Sequence, residues 1–337
     1  MNDQKDNKFN LSESRRFAVA PMIDWTDRHC RFFHRQLMRH GQVYTEMIVA
    51  DAILHGRRAQ LLRFDPVEHP VVLQLGGSDP EKLAEAARIG EAFGYDEINL
   101  NVGCPSDRVQ SGTFGACLML TPGVVETAVA AMKQAVNVPV TVKCRIGVDD
   151  QNPESVLPDF VERMVGAGAD ALWVHARMAW LKGLSPKENR TIPPLDYPLV
   201  YAMKERHPEI FIGINGGIAD LQAAKQHLAH VDGVMLGRAA YQTPSVLGGV
   251  DAALFGDTSE ALSDIMLRDR MMAYADRHLA DGGRLGQVTR HMIGLFSGMD
   301  GARRYRQILS VEATRPEATS TVIAEAFDAV LSAEARV

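Results

Sequence analysis

The sequence predicts an α/β protein whose main part is a (β/α)8 TIM barrel, followed by a small C-terminal helical domain. Two observations support this fold class. Over about 240 residues, short apolar or β-branched runs alternate eight times with helical, Ala-rich segments, the pattern of a barrel whose usual size is roughly 250 residues. After about Ala252 the alternation stops, and only helical patterns follow.

The eight predicted barrel strands are short runs that are rich in apolar and β-branched residues. In chain order they are Phe17–Ala20, Val43–Thr45, Val71–Leu75, Glu97–Leu100, Val140–Lys143, Ala171–His175, Phe211–Ile214 and Gly233–Leu236. Helical segments such as Pro80–Phe93 and Val124–Ala135 separate most of them. The short gap before the last strand has room for only a small helix.

Three parts are predicted along the chain: a disordered N-terminal tail at 1–14, the barrel at 15–252 and the helical domain at 253–337. The tail is polar and lacks the apolar run of a signal peptide. Gly256-Asp257 breaks the pattern at the start of the last part. The helices predicted there are Ser259–Ala280, Leu285–Phe296, Ala302–Leu309 and Thr319–Ala333.

Composition narrows the possible functions. The chain has 337 residues, 46% hydrophobic and 23% charged, with a net charge of −6, as in ordinary globular proteins. This charge gives no general attraction to nucleic acid, so RNA binding would depend on local patches. The four cysteines show no CxxC spacing, and we therefore expect no structural metal site. No apolar run reaches the ~20 residues that cross a bilayer, and we expect a cytoplasmic protein without an obligate protein partner.

Polar or flexible residues follow nearly every predicted strand. They are Pro21-Met22, Glu46, Gln74, Asn101, Lys143, His175, Asn215-Gly216-Gly217 and Gly237-Arg238. The carboxyl ends of barrel strands all lie on one face, where the catalytic groups of this fold are found. We therefore expect these residues to surround one site.

Two features at these strand ends indicate an anionic cofactor. Gly216-Gly217 and Gly237-Arg238, which follow the last two strands, are placed as in the phosphate sites of many barrels, where backbone N–H groups and a cation meet the anion. Lys143 lies at the barrel mouth, where a lysine is unfavourable without a negative partner. A reduced flavin would supply such a charge. A lysine that reaches solvent at the rim is the alternative.

Cys104 stands in a Gly-Cys-Pro turn just after the strand that ends near Asn101. An ordinary thiol has a pKa of about 8.5 and is mostly protonated at neutral pH. Beside a flavin it would suit a general acid that protonates one carbon of a double bond while the other receives hydride. A nucleophilic role and a purely structural, buried cysteine are the alternatives.

Six motifs together resemble those of the tRNA-dihydrouridine synthases, flavoenzymes that reduce uridine in tRNA. They are Ala20–Met22, Asn101–Ser106 with Gly115-Ala116, Val142–Arg145, Val174–Arg177, Ile214–Gly217 and Asp232–Arg238. The resemblance runs from about Phe17 to Leu309. Leu184–Tyr197 and Val288–Arg306 resemble the A-type branch, which acts on positions 20 and 20a of the D-loop.

The resemblance implies a role for each candidate residue. Cys104 would give a proton to uracil C5 while hydride from reduced FMN goes to C6, and NADPH would reduce the flavin again. FMN would be held by Pro21, Met22, Gln74, Lys143, His175, Asn215, Gly216, Gly217, Gly237 and Arg238. The tRNA would be contacted by Asn101, Arg177, Lys187, Arg190, Arg303 and Arg306.

Local charge agrees with part of this assignment. Asp264–Arg306 holds eight arginines against five aspartates, a net of +3, whereas Val311–Val337 has two arginines against five acidic residues, a net of −3. By itself the basic segment fits RNA binding and a solvated helix face equally well. Two other functions are considered: an FMN-dependent barrel oxidoreductase of a free pyrimidine, such as a dihydroorotate-type dehydrogenase, and a tRNA-binding protein without activity.

Overall fold

The computed structural model describes residues 10–105 and 114–334. The chain forms two compact units, which are treated separately below. The first unit includes the chain up to Met22 and His40–Gly237, and the second includes Ile23–Arg39 and the chain from Arg238 onward. Within the described residues, no helix is both long and apolar enough to span a membrane.

The first unit is a closed barrel of parallel strands. Its strands are β1 Phe17–Val19, β2 Gln42–Tyr44, β3 Ile48–Val49, β4 Val71–Gly76, β5 Glu97–Val102, β6 Val140–Arg145, β7 Ala171–His175, β8 Phe211–Asn215 and β9 Gly233–Leu236. Pairing of β1 with β9 and of β2 with β4 closes the ring, and β3 only extends the pairing of β4. The eight predicted strands and the predicted barrel are thus confirmed.

Helices separate the strands of this unit. They are Leu11–Ser14, Ala50–His55, Arg58–Leu61, Pro80–Phe93, Pro122–Ala135, Pro153–Gly166, Tyr197–Arg206 and Leu221–His227. Pro80–Phe93 illustrates how sequence sets their bounds. The Asp79 carboxylate accepts hydrogen bonds from the backbone at Glu81 and Lys82, and Gly94 ends the helix in the left-handed conformation, with φ of 96°.

Glycines allow the largest barrel side chain to fit. Trp173 of β7 is fully buried and lies level with Gly213 of β8 in the strand register. A Cβ at position 213 would lie 2.3 Å from the indole ring. A Cβ at Gly233 of β9 would lie 3.0 Å from the same ring. The tryptophan therefore fills space that two neighbouring strands leave open by lacking side chains.

The second unit is helical. Its helices are Arg28–Leu37, Arg238–Gln242, Val250–Phe255, Asp264–Ala280, Leu285–Thr289, Ala302–Val311 and Thr321–Glu334. The apolar faces of Arg28–Leu37 and of the helices from Asp264 onward form one core, which contains Phe33, Tyr305 and Phe327, all fully buried.

The observed division differs from the predicted one in three places. Ile23–Arg39 groups with the helical unit, because Phe32 and Phe33 pack into its core. The unit boundary near Gly237 precedes the predicted boundary at 252. At the N-terminus, Leu11–Ser14 forms a helical turn capped by the Asn10 side chain, whereas residues 1–9 of the predicted tail lie outside the described residues.

Two predicted helices of the last part are shorter than expected. The helix predicted from Ser259 begins at Asp264, because the Ser263 hydroxyl caps it by accepting a hydrogen bond from the backbone N–H of Met266. The segment Leu285–Phe296 is helical only to Thr289 and continues as turns. The other two predicted helices agree with the structure to within two residues.

Candidate active site

The strand ends bring several predicted residues into contact. Adjacent strands place Asn101 level with Lys143 and His175 level with Asn215. The Lys143 ammonium donates a hydrogen bond of 3.0 Å to Asn215 Oδ1, and the Asn101 amide donates one of 2.7 Å to Gln74 Oε1. These five residues therefore form one face at the carboxyl ends of β4 to β8, as predicted for a barrel site.

The turn that carries Cys104 is held by Asn101. Asn101 Oδ1 accepts hydrogen bonds from the backbone N–H groups of Gly103, at 3.1 Å, and Cys104, at 2.9 Å. This is the geometry of an Asx turn, in which a side chain stabilises the backbone just beyond it. The carbonyl of Cys104 accepts a further bond from the Ala116 N–H at 2.9 Å. Cys104 is half-buried, and Ser106 of the same motif lies outside the described residues.

Positive charge is concentrated beside this turn. Burial, aided by the neighbouring Arg145, lowers the pKa of Lys143 to about 8. Burial, opposed by Cys104 and aided by Arg190 and Arg177, lowers the pKa of Arg145 to about 10. Burial and mutual repulsion make the charged forms of these side chains less stable. An anionic ligand bound beside them would therefore stabilise the charged forms.

Arg145 was missed as a site residue by the sequence analysis. Its guanidinium donates hydrogen bonds to the carbonyls of Gly103, at 3.0 Å, Met178, at 3.0 Å, and Asn189, at 2.9 Å. It therefore ties the cysteine turn to the segment after β7. The strand alternation, which places Arg145 in phase with Lys143, is the signal that could have identified it.

The long segment after β7 has a defined internal structure. Asn189 is fully buried, accepts a hydrogen bond of 2.8 Å from the Trp180 N–H, and donates one of 2.8 Å to the Trp180 carbonyl. A short 3-10 helix spans Glu188–Arg190. Lys187 and Arg190 are exposed there, so both predicted tRNA contacts point away from this internal packing.

The glycine pair after β8 adopts a conformation that other residues rarely take. Gly216 has φ of 116° and Gly217 has φ of 73°. A Cβ at Gly217 would lie 2.7 Å from Leu195 Cδ1, and the Tyr197 hydroxyl donates a hydrogen bond of 2.7 Å to the Gly216 carbonyl. A Cβ at position 216 would also lie 3.3 Å from the His175 ring. Leu195 and Tyr197 therefore fill the space that a Cβ at position 217 would need, and Gly216 is buried whereas Gly217 is exposed.

The remaining predicted residues are more scattered. A Cβ at Gly237 would lie 3.6 Å from Met22 Sδ, so the turn after β9 lies beside Met22 and the half-exposed Pro21. Arg177 donates a hydrogen bond to the Pro193 carbonyl. Within the second unit, Arg238 begins a short helix, and Arg303 and Arg306 are exposed on the helix Ala302–Val311.

Comparison with known proteins identifies clear relatives. The family model described as dihydrouridine synthase (Dus) matches residues 18–331. The tRNA-dihydrouridine(20/20a) synthase of Salmonella typhimurium is 52% identical over 329 residues, covering 97% of this chain and 98% of that protein. The synthase of the same name from Xanthomonas campestris is 54% identical over 315 residues, covering 94% and 93%, and that of Escherichia coli K12 is 52% identical over 324 residues, covering 96% and 94%.

A solved structure is similar in fold. A 2-naphthoyl-CoA reductase in complex with 2-naphthoyl-CoA aligns with a TM-score of 0.53 and 11% identity, covering 70% of this chain and 49% of the reductase chain. At this identity the similarity concerns the fold alone.

Proposed function

The chain belongs to the dihydrouridine synthase family, and from this premise we propose that it reduces uridine to 5,6-dihydrouridine in the D-loop of tRNA, at positions 20 and 20a. Its relatives carry that substrate and those positions in their names, over nearly the whole of both chains. The observation that supports the proposal most directly is the half-buried Cys104 on a turn held by Asn101, beside the cations at the barrel mouth. Since the proposed substrate is tRNA, we place the protein in the cytoplasm.

The family is flavin-dependent, and the residues at the barrel mouth fit FMN. The positive-φ backbone at Gly216 and Gly217 would receive the phosphate through its N–H groups. Lys143, whose pKa is lowered by burial, would gain an anionic partner. The full proposed set is Pro21, Met22, Gln74, Lys143, His175, Asn215, Gly216, Gly217, Gly237 and Arg238. When bound and reduced by NADPH, FMN supplies the hydride that reaches uracil C6.

Cys104 completes the reduction by donating its thiol proton to uracil C5. Asn101 holds the backbone of the cysteine turn through two hydrogen bonds, so the backbone that carries the thiol is fixed in place. Arg145 holds the Gly103 carbonyl from the other side. Preorganisation of this kind accounts for much of the rate enhancement in proton-transfer catalysis.

The tRNA is proposed to be bound by positive charge around the site and on the helical unit. Asn101 and Arg177 would contact the uracil, whereas the exposed Lys187, Arg190, Arg303 and Arg306 would contact phosphates. Taking a base out of folded tRNA costs a few kcal/mol, and phosphate contacts can offset that cost.

A direct assay tests this proposal. Purified protein is incubated with NADPH, FMN and unmodified tRNA, and dihydrouridine is mapped by mass spectrometry. We expect modification at positions 20 and 20a, and we expect Cys104→Ala to bind flavin normally yet to be slower by about 10²-fold or more, the usual contribution of a general acid. Cys117→Ala, which removes another half-buried cysteine, should be near normal. Turnover of free dihydroorotate without tRNA modification, or full activity of Cys104→Ala, would contradict the proposal.

A further inference from the structure

A continuous line of buried polar side chains runs through the barrel interior. The Thr141 hydroxyl donates to Glu97 Oε1 at 2.6 Å, and Asn99 Nδ2 donates to Thr141 Oγ1 at 2.8 Å. Gln74 Nε2 donates to Asn99 Oδ1 at 2.8 Å, and Asn101 Nδ2 donates to Gln74 Oε1 at 2.7 Å. All five side chains are buried, four of them to 1% exposure or less. We call these five residues the polar line.

The polar line connects the two ends of the barrel. Glu97 and Asn101 lie four residues apart on β5, about 13 Å at the usual rise per residue, and alternation directs them, with Asn99, to the same side of the sheet. At the far end the Glu97 carboxylate is fixed by the Arg15 guanidinium at 2.8 Å and by the Gln42 amide at 3.1 Å. At the near end Asn101 holds the turn of Cys104.

The charged end fixes the direction of every bond in the line. A carboxylate only accepts hydrogen bonds, so the single proton of Thr141 must point to Glu97. The Thr141 oxygen must then accept from an N–H of Asn99, which leaves the Asn99 oxygen to accept from Gln74.

The same constraint passes to the cysteine turn. With its Nε2 donating to Asn99, Gln74 presents its oxygen to Asn101, and Asn101 must donate its NH2 group there. Its oxygen is thereby aimed at the N–H groups of Gly103 and Cys104. The opposite orientation would set an NH2 group against those two N–H groups, with no acceptor for them.

We propose that Glu97 and Thr141 are positioning residues, which act through Asn99 and Gln74 to hold the Asn101 amide in the one orientation that fixes the Cys104 turn. The inference rests on the proposed role of Cys104 and extends it to residues that touch neither substrate nor cofactor. It assigns a function to a buried carboxylate and a buried hydroxyl whose partners are Arg15 and residues of β2, β5 and β6.

A first experiment removes the hydroxyl at nearly constant volume. Thr141→Val should slow dihydrouridine formation in a single turnover by about tenfold, the effect of about 1.4 kcal/mol, whereas Thr141→Ser, which keeps the hydroxyl, should recover the rate to within about twofold. Thr289→Val is the matched control, because Thr289 is also fully buried but lies in the helical unit, where its hydroxyl donates a hydrogen bond to the Leu309 carbonyl. It should leave the rate unchanged.

A second experiment tests the orientation of the side-chain amides in the polar line by protein stability, without any enzymatic turnover. In Asn101→Asp at pH 8 the carboxylate still accepts from Gly103 and Cys104 but faces the oxygen of Gln74. Turning over the side-chain amides of Gln74 and Asn99 would relieve this clash, but it would set the Asn99 oxygen against the Thr141 oxygen. Thr141 has a single hydroxyl proton, which is already donated to Glu97, so it has none to donate to Asn99. Thr141→Val removes that obstacle.

The double variant therefore has a distinctive expected result. Combining Asn101→Asp with Thr141→Val, in the full-length protein with saturating FMN, should lower the urea midpoint by less than the sum of the two single shifts. Combining Asn101→Asp with Thr289→Val should give an additive shift. If Thr141→Val does not fold, Thr141→Ala removes the same hydroxyl and takes its place in both experiments.

The outcomes separate this inference from the proposed function. Non-additivity at position 141 but not at 289, with recovery by Thr141→Ser, supports the polar line. Additive shifts in both combinations, or a Thr141→Ser variant as slow as Thr141→Val, would overturn it. Absence of dihydrouridine with the unaltered protein would refute the proposed function, while the urea midpoints would still decide on the polar line.

Discussion

Lys143 should make flavin binding depend on pH. Burial, aided by the nearby Arg145, lowers the pKa of its ammonium group from the ordinary 10.5 to about 8 in the ligand-free protein. An anion placed beside the ammonium stabilises the charged form and raises this pKa. Reduced FMN carries such a charge on its flavin ring, so its binding above pH 8 must be accompanied by uptake of a proton by Lys143.

The size and direction of the effect follow from this difference in pKa. Below pH 8 the lysine is charged with or without ligand, and the affinity should be constant. Above pH 8 the affinity should fall by up to tenfold per pH unit, until the pKa of the bound state is reached. If binding restores the ordinary value of 10.5, the full difference of about 2.5 units corresponds to about 3 kcal/mol, an upper limit of about 300-fold.

The same group gives the opposite trend in the stability of the ligand-free protein. Its pKa is lower in the folded than in the unfolded chain, so the folded state carries a penalty at pH values below about 8, where Lys143 is charged in both states. This penalty disappears as the pH rises from about 8 towards 10.5. Between these pH values Lys143 should therefore add to stability while flavin affinity declines.

Anaerobic titration of the apoprotein with FMN kept reduced by dithionite, between pH 7 and 9.5 and followed by tryptophan fluorescence, measures the binding effect. Lys143→Gln should bind more weakly, with an affinity that no longer changes over this range. Lys225→Gln, which replaces an exposed lysine of the helix Leu221–His227, should keep the slope of the unaltered protein. A constant affinity in the unaltered protein, or an equal slope in Lys143→Gln, would refute the reasoning.

Two other predictions concern the helical unit and the barrel core. Replacing Arg303 and Arg306 together by Ala should weaken tRNA binding and reduce the slope of log affinity against log salt by up to about 2, since each phosphate contact contributes about 0.7 to 0.9, while NADPH-dependent flavin reduction is unchanged. Gly213→Ala should destabilise the barrel by about 2 kcal/mol or more, because its Cβ would lie 2.3 Å from the Trp173 ring, which a denaturation curve measures.

Each of these changes has a matched control. Arg88→Ala removes an exposed arginine that is paired with Glu85 on the barrel surface, and it should leave the salt slope of tRNA binding unaltered. Gly123→Ala adds a Cβ that meets nothing within 4 Å and should be neutral or slightly stabilising. An unaltered salt slope in the double arginine variant would remove both arginines from the tRNA surface, and equal stability of the two glycine variants would contradict the packing argument.

The barrel strands could be predicted because parallel strands are buried on both faces and therefore read as continuous apolar runs. Polar residues at the strand ends were equally visible, and Gln74, Asn101, Lys143 and Asn215 are indeed in contact as predicted. Arg145 was not predicted as a site residue. Its partners are backbone carbonyls of two different loops, which the sequence does not reveal, and the strand alternation that places it in phase with Lys143 is the one signal that could have identified it.

The unit boundary shows a different limit of the sequence. Ile23–Arg39 follows the first strand and was therefore assigned to the barrel, where a helix is expected after each strand. The helix Arg28–Leu37 is present, but Phe32 and Phe33 join the core of helices that lie more than 200 residues later in the chain. An amphipathic pattern predicts that a helix buries one face, and it does not specify against which neighbour.

The polar line and the cations at the barrel mouth are two different solutions for polar groups inside a barrel. In the line, each donor meets an acceptor, so the side chains are stabilised in one arrangement before any ligand arrives. At the mouth, burial and repulsion from neighbouring cations lower the pKa values of Lys143 and Arg145. The electrostatic cost of their charged forms is therefore offset only when an anion binds. Asn101 belongs to the first group and lies level with Lys143 of the second. The cysteine turn is therefore rigid in advance, whereas the affinity for an anionic ligand comes from charges that the fold leaves partly uncompensated.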